Sequence, residues 1–231
     1  GLVSGNDRSA KVRKNVVGSF IVRGISIAAS FFLVPLTIGY ISSELYGVWL
    51  TLSSIMTWLQ FMDIGFSQGM KNKVTEAIAK NEWNDAQTFV STTYFMMVLI
   101  FIPLCIILEI ATPYINWSNL LNVNLLYNAE IIRTVQVLVI FFCISMVLNV
   151  LSSLVAAFQQ VAFSNAFNAV GQVLALVAII FCVHFVKPSL VVLVFAISAM
   201  PVIVTFISSI ILFNGRYKKV SPKITCIRIS K

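Results

Sequence analysis

Six long apolar runs recur along this chain, and their length limits what it can fold into. They cover about residues 15–41, 46–68, 88–110, 131–157, 166–186 and 189–213. Roughly 20 apolar residues in a row is what a helix needs to cross a hydrocarbon core. In lipid a backbone can hydrogen-bond only to itself, so each run predicts a helix, and β-barrel alternation is absent. Composition agrees: 59% of the 231 residues are hydrophobic and only 10% charged, too little charge to clothe a soluble surface. The expected class is an all-α polytopic membrane protein with a six-transmembrane-helix bundle. The first run is too long for the apolar core of a signal peptide, and no small-x-small site follows it.

The basic residues set the expected orientation. Arg8, Lys11, Arg13 and Lys14 precede the first run, and Lys71, Lys73 and Lys80 separate the second from the third. Arg216, Lys218, Lys219, Lys223, Arg228 and Lys231 follow the sixth. The intervening loops carry Glu44, Glu109 and Glu130 and little basic charge beyond Lys187. This bias predicts both termini in the cytoplasm. It divides the chain into a basic N-terminus (1–14), a membrane lobe (15–213) and a basic cytoplasmic tail (214–231). The net charge of +8 thus reads as a topology signal. Basic residues spread over several loops argue against a nucleic-acid partner. Tyr40, Tyr46, Trp49, Tyr114 and Trp117 fall at the expected outer interface and read as an aromatic belt.

One charge breaks the first run, "VGSFIVRGISIAASFFLVPLTIGY", residues 17–40. At 100° per residue, Asn15, Ser19, Arg23, Ser26, Ser30 and Thr37 fall within an arc of roughly 80°. A lipid-facing arginine costs about 2.5–3.5 kcal/mol even on a lenient scale. Two placements avoid that cost. Arg23 can share a wet cavity with the stripe, or snorkel to the headgroups. The common face of all these polar groups favours the cavity.

Similar stripes recur. Ser145, Asn149, Ser152, Ser153, Gln159 and Gln160 share one side of the fourth run, Asn165, Asn168 and Gln172 mark the fifth, and Ser198, Thr205 and Ser208 the sixth. Together they predict a water-accessible lumen, the alternative for each amide being an interhelical hydrogen bond. Asp63, in "DIGFSQGMKNK", lies near the inner end of the second run. It suits proton or cation coupling, pairing with Arg23, or a plain interfacial charge. Gly65 and Gly69 beside it suit close helix packing. Glu76 and Lys80 form an i,i+4 pair, and Asn84 or Asp85 is placed to cap the third run. Cys105, Cys143, Cys182 and Cys226 read as small apolar residues. The single histidine, His184, has no clustered carboxylates, so neither a catalytic constellation nor a metal or cofactor site is expected.

The segment "GYISSELYGVWLTLSSIMTWLQFMDIGFSQGMKNKVTEAIAKNEWNDAQTFVSTT", residues 39–93, resembles the O-antigen flippases of the multidrug/oligosaccharidyl-lipid/polysaccharide (MOP) exporter superfamily. "GYISSELYGVW", "DIGFSQGMKNK" and "EAIAKNEWNDA" carry the likeness, which extends from about Lys14 to Lys223. Members of that family are about twice as long, with two six-helix lobes in a V around a central cavity. The resemblance therefore implies that this chain is the N-terminal lobe, that 214–231 is the interlobe linker, and that the second lobe, or a homodimer partner, is missing. The start at Gly1 instead of Met fits a fragment. The implied function is translocation of an undecaprenyl-diphosphate-linked oligosaccharide across the bacterial inner membrane by alternating access. Arg23 would hold the diphosphate, while Ser26, Ser30, Asn149, Asn168 and Gln172 would bind sugar hydroxyls. Asp63 would serve in coupling or gating. Alternatives are a cation-coupled drug or metabolite exporter of the same superfamily, and a lobe that does not transport alone.

Overall fold

The computed structural model describes residues 5–60 and 64–226. Asp63, Arg228 and Lys231 lie outside the described residues. Helices form α1 (Gly5–Tyr40), α2 (Ser43–Gln60), α3 (Ile64–Ala79), α4 (Trp83–Ala111), the single-turn α5 (Trp117–Leu121), α6 (Asn128–Ala157), α7 (Val161–Phe185) and α8 (Leu190–Asn214). No strand occurs among the described residues.

Five segments are long and apolar enough to cross a membrane: Val16–Tyr40, Trp83–Tyr114, Leu125–Ala157, Val161–Phe185 and Leu190–Asn214. The expected second span takes another form. It is divided between α2 and α3, two separate helices. At 1.5 Å per residue α2 is about 27 Å long, close to the thickness of a hydrocarbon core. Glu44 and a run of Ser, Thr and Gln side chains dilute its apolarity. The first helix differs too. α1 starts at Gly5 and runs unbroken through the basic stretch assigned to a separate N-terminus, giving 36 residues.

The packing order is α1 on α7, α7 on α8, α8 on α6 and α6 on α4, with α3 seated against α4 and α6. α2 touches α1, α6 and α8 only lightly. α6 is central: Val150, Leu151, Leu154 and Val155 are fully buried. The α7–α8 crossing is tight because Gly171 sits on Pro201. A Cβ at Gly171 would come within 2.5 Å of the Pro201 Cα, so only glycine permits this approach. Gly65 and Gly69 meet nothing within 4 Å of such a Cβ, so they do not mediate the close packing expected of them.

Polar contacts close both ends of the bundle. At one end the Glu130 carboxylate accepts hydrogen bonds from the Leu190 backbone N–H (2.7 Å) and the Ser189 hydroxyl (3.0 Å) at the start of α8. Glu44 accepts from the Asn124 backbone N–H, and the Tyr40 hydroxyl donates to the Lys187 carbonyl. Glu109, expected in a loop here, belongs to the last turns of α4. The opposite end gathers basic residues from distant parts of the sequence. There the tail folds back onto the lobe: Gln87 donates to the Ser221 carbonyl, the Lys223 N–H donates to Ser91, and Lys219 stands 5.3 Å over the Trp83 ring. Tyr217 is buried against Phe158 and donates to Gln160. Its burial raises the phenol pKa above the ordinary value. Glu76 and Lys80 form the expected pair at 2.8 Å. The cap expected for α4 is different. The helix starts at Trp83 after Glu82, which makes no side-chain capping bond, and Asn84 and Asp85 sit within the first turn.

Candidate functional site

A cavity of about 920 Å³ opens between α1, α2, α6, α7 and α8. Its position follows from the packing order. α1, α7, α8 and α6 form a curved wall, and the lightly packed α2 stands in front of it. α6 contributes Ser145, Asn149, Ser152 and Ser153. From α7 come Asn168 and Gln172, and from α8 Ser198 and Thr205. Ser30 and Thr37 of α1 complete this side.

The structure thus brings together Ser30, Asn149, Asn168 and Gln172. It does not bring in Arg23 or Ser26, which are absent from the lining. Arg23 lies seven residues before Ser30, two helical turns or about 10 Å toward the basic end, on nearly the same face. Its side chain is exposed, and no carboxylate pairs with it among the described residues. The stripe on α1 is real as a helical face, but it runs past the cavity's edge. Gln159, Gln160, Asn165 and Ser208 also fall outside the lining. Gln159 and Gln160 follow the end of α6: Gln159 has φ 59°, and Gln160 is held by Tyr217. Asp63 lies outside the described residues, between two helices that both contribute to the wall.

The other wall was missed. Tyr46, Trp49, Ser53, Met56, Thr57 and Gln60 of α2 line the cavity, and Gln68 of α3 joins them. Spacings of three and four residues put the α2 set on one face. That period is visible in the sequence, but Tyr46 and Trp49 suit an interfacial belt equally well. Lys71 donates to Gln68 at 3.3 Å, placing one ammonium at the rim.

Five of the lining hydroxyls are spent on their own helix. Thr37 donates to the Leu33 carbonyl, Ser53 to Leu50, Thr57 to Ser53, Ser145 to Phe142 and Thr205 to Pro201, all between 2.6 and 3.0 Å. This back-bonding satisfies each O–H and leaves oxygen lone pairs toward the lumen. Pro201 has no N–H, so the Ile197 carbonyl loses its helical donor at the same wall. The Gln172 Oε1 atom is buried and meets no donor among the described residues. The wall therefore presents amide donors and acceptors together with hydroxyl oxygens, and no charged side chain lines it among the described residues. Nor do three His, Cys, Asp or Glu side chains gather into a metal-binding group among those residues. His184 sits on the exposed last turn of α7, its Nδ1 2.8 Å from the Ile180 carbonyl.

No family model and no curated protein sequence matches the chain. A solved structure does: a multidrug resistance MATE family transporter of the MOP superfamily, in an outward-facing conformation. It superposes with a TM-score of 0.75 at 15% identity, over 95% of this chain and 49% of its own. The fold is that of a MOP transporter lobe. At this identity the likeness speaks for fold alone. The chain spans about half the length of that MOP transporter, and its cavity lies wholly within the one lobe.

Proposed function

We propose that this chain is the N-terminal half of a flippase that moves an undecaprenyl-diphosphate-linked oligosaccharide across the bacterial inner membrane by alternating access. The MOP fold supports a non-enzymatic transport task, and the uncharged polar cavity supports a glycan as its cargo. The observation that carries it is a large intramembrane cavity walled by amides and hydroxyls, with no charged side chain among the described lining. Sugar hydroxyls cannot enter hydrocarbon bare, because unpaired polar groups cost several kcal/mol each. This wall supplies acceptors for them while the lipid tail stays in the bilayer. Arg23, exposed two turns outside the cavity, holds the diphosphate at the basic entrance, with Ser26 one turn further along. Lys71 at the rim adds a second cation. Asp63 couples or gates the movement. A second lobe, or a second copy of this one, completes the transport path beyond this cavity.

The other reading, a cation-coupled drug or metabolite exporter, has the likeness to a multidrug resistance transporter in its favour. It calls for a carboxylate facing the lumen, and the described lining has none. A lobe that transports nothing until paired is the third.

The test uses this chain together with its second half, in a host whose surface polysaccharide depends on them. Arg23→Ala abolishes export at unchanged protein level, and Arg23→Lys retains part of it, because a point charge still holds phosphate without the bidentate fork. Gln172→Leu lowers export with Arg23 intact. Normal glycan export by these variants removes Arg23 and Gln172 from the path, and surface polysaccharide that persists when both halves are deleted, combined with new sensitivity to lipophilic cations, gives the function to the exporter. Gathering of the basic residues at one end supports a cytoplasmic location for both termini. Reporter fusions after Asn84 then read cytoplasmic and after Asn122 periplasmic; the reverse pattern refutes it.

A further inference from the structure

The four tryptophans have different surroundings, and one of them joins the packed core to the cavity. Trp117 donates its indole N–H to the Thr112 carbonyl at 2.9 Å. Trp83 carries Lys219 over its ring. Trp58 is 78% exposed on the outside of the bundle. Trp49 is half-buried and lines the cavity, and its indole N–H meets no acceptor among the described residues. Trp49 and Trp58 are nine residues apart on one helix, so they project from opposite faces. The helix turns one ring toward bulk lipid and the other toward a polar lumen. Tyr46, one turn before Trp49, lines the lumen too.

We propose that Trp49, with Tyr46, is the stacking platform for an uncharged pyranose ring, whose hydroxyls are read by Gln172 on α7. The proposal rests on the glycan reading of the cavity and names its sugar-binding element. A pyranose has a face of C–H bonds and a rim of hydroxyls. The C–H face suits an aromatic ring, whose π-cloud is negative and whose body is apolar. The rim needs hydrogen-bond partners; Gln172 lines the cavity, and its Oε1 atom has no donor among the described residues, so a small turn of the amide toward the lumen lets a ligand O–H satisfy it. The volume of about 920 Å³ lies at the upper end of the range for small-molecule sites, about 300–1,000 Å³, so more than one ring fits. Both rings pack partly against the core and keep the rest of their surface on the cavity. The same ring face attracts cations, so the two ligand classes must be set against each other.

The experiment places the full chain in lipid nanodiscs with Trp58, Trp83 and Trp117 replaced by Phe, leaving Trp49 as reporter. A second chain keeps Trp58 alone. Each is titrated with neutral trisaccharides of glucose, galactose and mannose, and with tetraphenylphosphonium. The expected result is a saturable emission change at Trp49 with at least one trisaccharide, none with the cation, and none at Trp58. By calorimetry, Trp49→Leu weakens that trisaccharide about tenfold, whereas Trp49→Tyr costs under threefold. A response to the cation alone overturns the proposal and the glycan reading together. Silence at Trp49 toward every trisaccharide, or equal affinity in Trp49→Leu, overturns the platform. If glycan export still depends on Arg23 in that case, the transport reading stands without it. A trisaccharide response at Trp49 in a protein whose export ignores Arg23 leaves the platform and removes the flippase.

Discussion

The two long walls of the cavity, α6 and α2, are built on different terms. α6 is packed on several sides, by α8, α4, α3 and α7, and its middle turns are fully buried at Val150, Leu151, Leu154 and Val155. α2 buries only Leu45, Val48 and Leu52 and leans lightly on three neighbours. Both helices carry polar groups toward the same lumen. Lipid gives helices no hydrophobic reason to associate, so van der Waals packing decides which of them is fixed. On that measure α6 with α7 and α8 is the frame, and α2 is the wall that takes least energy to displace. The alternating access proposed for this cavity needs one of each.

The frame is where substitutions cost most. At Gly171 any side chain drives a Cβ into the backbone of Pro201, which a rotamer change cannot relieve. Gly171→Val is expected to destabilise the lobe by about 3 kcal/mol and to show little folded protein by size-exclusion chromatography in detergent. Leu154→Ala, which empties a fully buried site, should cost about 2–4 kcal/mol. If either variant melts with the parent, the α6–α7–α8 frame is wrongly drawn.

On α2 the prediction concerns access. In a background lacking the four native cysteines, cysteines at Ser53 and Thr57 should react quickly with a small hydrophilic thiol reagent. At Thr51 and Ser54, on the face away from the lumen, they should react slowly. The parent hydroxyls bond their own helix, so each change should alter stability by under about 0.5 kcal/mol. Uniform labelling around the helix means α2 has no dry face, and the contrast with α6 fails.

The same contrast explains how much could be read in advance. The polar stripes of α6, α7 and α8 stood out because amides in an otherwise apolar run have few harmless explanations, and Asn149, Asn168 and Gln172 do meet at the lumen. The α2 face had the same period, but Tyr46 and Trp49 occur equally well at a membrane interface, and sequence does not say which side of a ring is wet. Arg23 shares the α1 face of Ser30 but lies beyond the lining, and nothing local shows where a neighbouring wall stops. Docking of the tail through Gln87 and Ser91 joins residues more than 130 positions apart, and no local spacing encodes such a contact.

The smallest effect lies on α3, the helix that follows α2 at the basic end. Lys80 donates to Glu76 at 2.8 Å and Lys73 stands 3.7 Å away. Hydrogen bonding and charge from Lys80, then charge from Lys73, hold the Glu76 carboxyl below its ordinary value of 4.5. The folded chain therefore binds fewer protons there than the unfolded one. The pair's contribution is fully present above that ordinary value and is lost as pH falls through the lower folded value. Lys80 is the mirror case. Its pKa is raised above 10.5, first by the hydrogen bond to Glu76 and then by its charge, so its share is present below 10.5 and is lost as pH rises through the folded value. All three side chains are more than half exposed, and solvent and salt screen such pairs. Glu76→Gln should lower the melting temperature slightly at neutral pH and low salt. The difference from the parent should shrink as pH falls below 4.5 and through the lower folded value, and shrink in high salt. A deficit that persists undiminished in acid would mean that Glu76 acts through packing, and that α3 is held at the basic end by more than the charges on its surface.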